Sequence, residues 1–507
     1  MSLLPSLETP RITSLRGPVR GRAADALDAL LVVAVEGASA KALAQLPGAL
    51  RWQELHGRRK PRAGSVRSTA LANKRQTQAV LGYVKADASA FDRLALAGRM
   101  LKETAGRAPR AIGLCVVAED DAMLEALLAA ALAQAFALPS YRSSVAESPR
   151  IESITLAGAA RVDLPHAVAA ARGNNLARWL TALPPNMLDA SAYRKLIAEL
   201  AKRFGLKARW LDETELRKLG ANAFLAVSAG NAERTAGIAH LEYRPKVGRK
   251  AIATKRPGLD VALVGKGILF DTGGTNLKTH RSMLEMHTDM AGSAVALATL
   301  LALAELKAPL TADAWLAITE NRTGPKAYVP QEVVRASNGV TIQVIHTDAE
   351  GRMALADTLA LASHTSPRLI VDYATLTGAC IYALTDRMSG VFTNHPALIE
   401  SLLAAGRDSG ERVWNFPFDE DYDSDLDSKV ADIAQCAVEG KGDHILAARF
   451  LSRFVPEDIA WAHMDIAAAT RSGGLGHVST DITGFGVRYS LQLLLKSDAL
   501  EVARRPT

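Results

Sequence analysis

Four short segments of this 507-residue chain gather groups that could do chemistry, and three of them carry carboxylates. The first is Gly265-Lys266-Gly267-Ile268-Leu269-Phe270-Asp271-Thr272-Gly273-Gly274, with Lys278 shortly after it. A lysine between two glycines, directly after an apolar β-run, is brought close to backbone, and the glycines permit a sharp turn there. The second is Met286-His287-Thr288-Asp289-Met290-Ala291-Gly292, in which Asp289 precedes a run of small residues and suits a helix N-cap. The third is His346-Thr347-Asp348-Ala349-Glu350-Gly351-Arg352. Its two carboxylates at i and i+2 repel each other and are stabilised most readily by a cation. The fourth, Ala374-Thr375-Leu376-Thr377-Gly378, is polar and uncharged. Taken singly, each has an ordinary explanation: a glycine loop with a surface salt bridge, a capped helix, a strand–helix turn, a plain turn after a buried strand.

Together they offer Asp271, Asp289, Asp348 and Glu350 as oxygen donors and Lys266 as one nitrogen donor. Hard oxygen donors suit Zn²⁺, Mn²⁺ or Mg²⁺. Four carboxylates that share bridging groups are enough for two divalent ions at the ~3.5–4 Å spacing of two-metal hydrolases. Lys266 could ligate only as the neutral amine, so burial beside the metals and a depressed pKa are expected of it. No His-Glu-x-x-His motif is present, which excludes a zincin-type site.

The elements that must position these groups read as an α/β layer structure. Ala29–Val35 and Ala111–Val117 look like strands, and Met123–Leu138 like a helix introduced by Glu119, Asp120 and Asp121. A strand over Ile151–Ala157 and a helix over His166–Thr181 follow. Ala190–Phe204 reads as an amphipathic helix and Lys207–Leu211 as a strand. Leu259–Val264 is a strand that ends at Gly265-Lys266-Gly267, and Asp289–Leu306 is a helix. Ala312–Thr319, Val340–Ile345, Leu369–Tyr373 and Ala460–Ile466 are strands; Gly351–Ser363 and Ile482–Leu495 are helices. The polar motifs recur at the C-terminal ends of apolar strands, where open α/β sheets bind ligands. The pattern predicts a smaller N-terminal α/β domain, residues 1–165, serving oligomerisation or regulation. A larger catalytic α/β domain with a central mixed sheet flanked by helices takes 166–507.

Hydrophobic residues at 49% and charged residues at 22% exclude disordered, collagen-like and coiled-coil classes. Three well-separated cysteines exclude a disulfide framework or a cysteine zinc site and fit a reducing cytoplasm. No uncharged apolar run reaches the ~18 residues of a membrane span, and Met1 to Arg20 does not read as a signal peptide. The net charge of +7 is matched by one segment, 51–78, where Arg51, Arg58, Arg59, Lys60, Arg62, Arg67, Lys74 and Arg75 face only Glu54. Such a segment is a solvated face or an anion and nucleic-acid patch.

The ordered motifs resemble the leucyl aminopeptidase family of cytosolic dinuclear metallo-aminopeptidases. The family's Asn-Thr-Asp-Ala-Glu-Gly-Arg signature aligns with His346 to Arg352, and Gly-Lys-Gly-x-x-Phe-Asp-x-Gly-Gly aligns with 265–274. Further matches are Asn175-Leu176-Ala177-Arg178, Pro184-Pro185-Asn186, Ala374 to Ala379 and Trp461 to Ala467. The resemblance covers about Asn175 to Leu495. One position departs from it: His346 stands where the signature has asparagine, and a histidine there could titrate near neutral pH.

The resemblance implies an aminopeptidase that removes the N-terminal residue of peptides. One ion, Zn²⁺ or Mn²⁺, would be held by Asp271, Asp348 and Glu350, the other by Lys266, Asp271, Asp289 and Glu350. A hydroxide shared by both would be the nucleophile. Lys278 and Arg352 would be the catalytic positions, the lysine polarising the scissile carbonyl and the arginine holding a bicarbonate as proton shuttle. Met286, Thr375, Gly378 and Ala467 are candidates for the substrate pocket. The family further implies a cytoplasmic homohexamer acting on peptides with a free N-terminus. The alternative is a DNA-binding protein, or an inactive family member, that uses the basic 51–78 segment.

Overall fold

The computed structural model describes all residues except 1–2, 18, 20–21, 59, 118–119, 144–149, 159–160, 246–257 and 505–507. Its first sheet has six strands in the order Arg11–Leu15, Ser153–Ala157, Ala111–Val116, Ala29–Val35, Gln78–Val84, Val66–Ala70. All neighbours run parallel except the last pair. Ala29–Val35 sits inside this sheet and is apolar along its whole length because both of its faces are covered. Helices Ala90–Thr104 and Asp121–Ala135 cover one face; Trp52, Leu43 and Leu55 pack on the other. The helix Asp121–Ala135 begins where the Asp120 carboxylate accepts from Met123 N at 2.9 Å. Glu119 lies outside the described residues.

The second sheet has eight strands in the order Val413–Asn415, Ser389–Thr393, Ala460–Asp465, Leu369–Ala374, Val261–Asp271, Ala312–Asn321, Gly237–Tyr243, Lys207–Asp212. The four strands from Ala460–Asp465 to Ala312–Asn321 are mutually parallel, and antiparallel pairs flank them. Helices Leu164–Ala182, Ala190–Phe204, Ala291–Glu305 and Val487–Lys496 cover one face, and Asn222–Ser228, Glu350–Ser363 and Asp443–Ser452 the other. The fold is therefore a mixed α/β architecture with helices on both faces of a mixed sheet.

The helix Leu164–Ala182 joins the two layers, lying against both Asp121–Ala135 and Ala291–Glu305. Its motif Asn175-Leu176-Ala177-Arg178 is a clasp. Asn175 Nδ2 donates to Leu132 O at 3.2 Å, and Arg178 donates to Asn175 Oδ1 at 2.7 Å and to Thr480 Oγ1 at 2.9 Å. Among the described residues one helical stretch, His280–Glu305, has the length and hydropathy of a membrane span, but 83% of its apolar window is buried in the protein.

Most expected elements appear within a few residues of their predicted bounds, with two instructive differences. The strand expected to stop at Val264 continues through Gly265-Lys266-Gly267 to Asp271, so Lys266 is a mid-strand residue and not a turn residue. The closing helix expected from Ile482 starts at Val487, because Gly484 and Gly486 adopt positive φ (66° and 112°) just before it.

Glu411 supplies that helix start. Its buried carboxylate accepts from Gly486 N at 3.0 Å and Tyr489 N at 2.7 Å. Burial raises its pKa from 4.5 to about 7. The folded state therefore binds this proton more tightly than the unfolded chain. The contribution to stability is full below about pH 4.5 and is lost as pH rises through about 7. Glu411→Gln keeps an acceptor oxygen without the charge. Its melting temperature relative to the wild type is expected to rise between pH 5 and pH 8; a difference independent of pH would contradict the assignment.

In the basic segment, Arg75 pairs with Asp28 at 2.6 Å and Arg51 with Glu54 at 2.9 Å. Arg67 donates to Leu55 O and His56 O at 2.9 Å each and lies over the Tyr83 ring. Arg59 lies outside the described residues.

Candidate metal centre

The carboxylates converge at the C-terminal edge of the parallel strands. Lys266 and Asp271 come from the long strand Val261–Asp271, Asp289 from the turn before helix Ala291–Glu305, and Asp348 and Glu350 from the start of helix Glu350–Ser363. Asp289 was expected to cap its helix. The cap position is taken by Met290, one residue further on. Asp289 accepts instead from Thr375 Oγ1 at 2.7 Å and pairs with Lys266 Nζ at 2.8 Å.

Small residues make the approach possible. A Cβ on Gly265 would lie 2.5 Å from Ser293 Cα, and one on Gly292 would lie 2.1 Å from Tyr373 O. The glycines flanking Lys266 thus serve close packing of the helix Ala291–Glu305 against the sheet, and no turn is needed there.

Lys266 Nζ is buried among Asp289 Oδ2 at 2.8 Å, Glu350 Oε1 at 3.0 Å and Thr375 O at 3.0 Å. Burial alone would lower its pKa, but Asp289, Glu350 and Asp271 raise it well above the usual lysine range. The Lys266 ammonium is thus a counter-ion to Asp289 and Glu350. Lys278 Nζ bridges the open side, 2.8 Å from Asp271 Oδ2 and in contact with Asp348 Oδ1.

The charge does not balance. Oxygens of Asp271, Asp348 and Glu350 lie within 4.8 Å of one another. With Asp289 they make four carboxylates against two lysines. Burial raises Asp289 to about 8 and Asp348 to about 6, and it raises Glu350 as well, with the neighbouring carboxylates adding to each shift. Asp289 Oδ2 and Asp348 Oδ1 are buried with no partner beyond the lysine ion pairs. A dense set of hard, under-neutralised oxygen donors with one nitrogen fits divalent cations.

Of the supporting residues, Asn321 and Tyr328 lie outside every sequence motif, whereas Gly273 and Asp465 lie within them. Asn321, fully buried at the end of its strand, donates through Nδ2 to Asp271 Oδ1 at 2.8 Å, Thr347 O at 3.0 Å and Glu350 Oε2 at 3.4 Å. Gly273 N also donates to Asp271 Oδ1, at 2.8 Å. Tyr328 Oη donates to Thr347 O at 3.0 Å. Asp465 accepts from Leu376 N at 3.1 Å and Thr377 Oγ1 at 2.6 Å, which fixes the loop that presents Thr375 O to Lys266. Thr375, a candidate for the substrate pocket, spends its hydroxyl on Asp289. Ala467 is buried, Gly378 is exposed, and Met286 is half-buried.

His346 is exposed at the turn that leads to Asp348. Partial burial and then Lys278 lower its pKa, and its Nδ1 accepts from Asp348 N at 3.2 Å. It shapes the turn as a neutral acceptor, a service that an asparagine oxygen could also give. Arg352 is buried, and its Nη2 donates to both oxygens of Asp443 at 2.8 Å.

A model of the catalytic domain of the cytosol aminopeptidase family matches residues 175–491. A probable cytosol aminopeptidase of Synechococcus sp. (strain CC9605) is 37% identical over 471 residues, covering 90% of this chain and 94% of that protein. Among solved structures, the bottromycin maturation enzyme BotP in complex with Mn is similar with a TM-score of 0.80 and 31% identity, over 92% of this chain and 99% of that one. A tomato leucine aminopeptidase mutant is similar with a TM-score of 0.82 and 25% identity, over 96% and 97% of the two chains.

Proposed function

The chain belongs to the cytosol aminopeptidase family, and on that premise we propose that Lys266, Asp271, Asp289, Asp348 and Glu350 hold two divalent cations at the heart of its active site. The protein is a metal-dependent aminopeptidase, a hydrolase of the leucyl aminopeptidase type. The observation that carries the metal reading is the excess of buried carboxylates over lysines at the strand ends. Bound divalent cations supply Lewis acidity and lower the pKa of an attacking water.

The remaining roles belong to this chain's own side chains. Asp271 and Glu350 are central to the cluster and are proposed to serve both cations. Asp289 serves the cation nearer Lys266, and Asp348 the other. A substrate α-amine is proposed to bind the cation beside Asp289, which Thr375 aligns, and this would restrict cleavage to N-terminal residues. Lys278, at the open side, is placed to meet the negative charge that develops on the scissile carbonyl.

Zn²⁺ or Mn²⁺ as the native metal, peptides as substrates, a cytoplasmic location and a homohexamer are parts of the same proposal. Peptides and a cytoplasmic location are supported by the names of the relatives and Mn²⁺ by the Mn complex of BotP, whereas Zn²⁺ and the homohexamer rest on the resemblance alone. The N-terminal residues 1–165 are proposed to serve oligomerisation or regulation.

The test is hydrolysis of a leucine amide by the wild type after chelation and after return of Mn²⁺ or Zn²⁺. Loss and recovery are expected; activity that survives exhaustive chelation would refute the metal role. Lys278→Ala separates ligand from catalyst. It is expected to lower kcat by on the order of 10²–10³, the cost of one oxyanion donor, with metal content near that of the wild type. Metal loss in that variant would make Lys278 part of the metal site and overturn its catalytic role.

A further inference from the structure

The resemblance implies a soluble bicarbonate on Arg352, and a carboxylate of this chain already occupies one edge of that guanidinium. Arg352 is 1% exposed. Its Nη2 donates to Asp443 Oδ1 and Oδ2, both at 2.8 Å, and its Nη1 to Gln435 O at 3.2 Å. An external carboxylate could reach the Nη2 edge only by displacing Asp443, and the one donor left without a partner among the described residues, Nε, is buried. The Asp443 side chain is 25% exposed and that of Arg352 only 2%, so the pair presents its carboxylate, not its cation, to solvent.

The pair is tied to the candidate metal centre through backbone. Asp443 opens the helix Asp443–Ser452, which packs on the helix Glu350–Ser363 that carries Glu350 and Arg352. Gln435, the other acceptor of Arg352, also accepts through Oε1 from Ile345 N and His346 N at 3.1 Å, and donates through Nε2 to Ala349 O at 2.9 Å. The segment that bears Asp348 and Glu350 is thereby fixed to the same frame as Asp443. Asp443 is thus a carboxylate held by a buried guanidinium, partly open to solvent, and built onto the frame of the candidate metal cluster.

We propose that Asp443 is this enzyme's built-in replacement for a soluble carboxylate: it accepts the proton of the attacking water and delivers it to the leaving amine. The water oxygen forms the new bond to the carbonyl carbon and the scissile C–N bond breaks. The proton taken from water ends on the departing nitrogen, so Asp443 finishes as the carboxylate it began as. No co-reactant beyond water is needed. The proposal rests on the aminopeptidase reading, and it predicts a bicarbonate-independent enzyme.

The test uses two variants of the full-length, metal-loaded protein in buffers freed of bicarbonate and other carboxylates. Asp443→Gly empties the space beside a buried cation that then lacks its counter-ion. Asp443→Asn fills the same space with a group that can still accept from Arg352 but cannot take up a proton. Wild-type turnover is expected to be unchanged by added bicarbonate. Both variants are expected to lose about 10²-fold or more in kcat, within the usual range for general acid–base catalysis. Sodium formate or bicarbonate should restore the glycine variant at least tenfold and leave the asparagine variant unrestored.

A second readout needs no turnover. In metal-free protein, formate should raise the melting temperature of Asp443→Gly and not that of the wild type. Wild-type activity that climbs with bicarbonate would overturn the proposal. Full turnover in Asp443→Asn, or a glycine variant that formate neither stabilises nor rescues, would do the same. Should the wild type hydrolyse no leucine amide at all, the aminopeptidase reading fails, while the melting experiment still reports whether Asp443 fills the anion position of Arg352.

Discussion

Asp271→Asn is expected to empty the metal centre and to lower kcat/KM by roughly 10³-fold or more, the scale of several kcal/mol of lost metal-ion catalysis. Asp271 Oδ1 is already committed, since it accepts from Asn321 Nδ2 and Gly273 N, both at 2.8 Å. An asparagine would turn its own oxygen toward those two donors. Its amide nitrogen would then occupy the Oδ2 position, which faces Lys278 at 2.8 Å and the rest of the cluster. A neutral donor would replace an anionic acceptor at a residue proposed to serve both cations. Metal content measured after Mn²⁺ reconstitution should fall at both positions. Asp289→Asn, at a residue proposed to serve one cation, should reduce it at one. Full double occupancy in Asp271→Asn would show that Asp271 is not shared between them.

The sequence reaches this contrast only through the resemblance, which gives Asp271 to both ions and Asp289 to one; the hydrogen bonds that commit Asp271 Oδ1 come from the fold. The sequence exposes a site when its chemistry is local. Asp348 and Glu350 stand two residues apart, and Lys266 and Asp271 share one segment, so a run of a few residues carries the signal. Asn321 is invisible by the same logic. It is one amide at the end of a buried strand, and its three acceptors come from segments up to 50 residues away. Asp443 lies 91 residues from Arg352 and belongs to no motif.

Secondary structure was legible where periodicity and caps agree. Ala190–Phe204 has an amphipathic pattern, the Asp189 cap at its start and the left-handed Gly205 at its end, and its bounds are those expected. The strand Val261–Asp271 was cut short in the sequence reading because glycine usually interrupts strands. Its glycines answer instead to the helix packed above them, and that packing partner lies more than 20 residues further along. Gln78–Val84, buried along its whole length, follows directly on the basic segment, whose charges draw attention away from it.

The same tertiary reasoning singles out Gly351, whose space is limited by Lys266 itself. A Cβ built on it would lie 2.6 Å from both Nζ and Cε of Lys266 and 2.8 Å from Cδ. A lysine tail can usually swing aside, but this one is 3% exposed and is held by Asp289, Glu350 and Thr375 O. Gly351→Ala therefore forces Lys266 out of the group of residues proposed to hold the second cation. The backbone has no objection to the change, because alanine is the better helix former by about 1 kcal/mol. The expected phenotype is a folded protein with an unchanged or slightly raised melting temperature when metal-free, less than full occupancy of one metal position, and kcat lowered by about 10². Gly292→Ala is the control for a purely steric defect. Its Cβ would meet the Tyr373 carbonyl, a backbone atom, at 2.1 Å, so that variant should lose stability itself, by about 1–3 kcal/mol. If Gly351→Ala keeps both metals and full turnover, Lys266 has room to move without consequence, and its place in the metal centre would have to be abandoned.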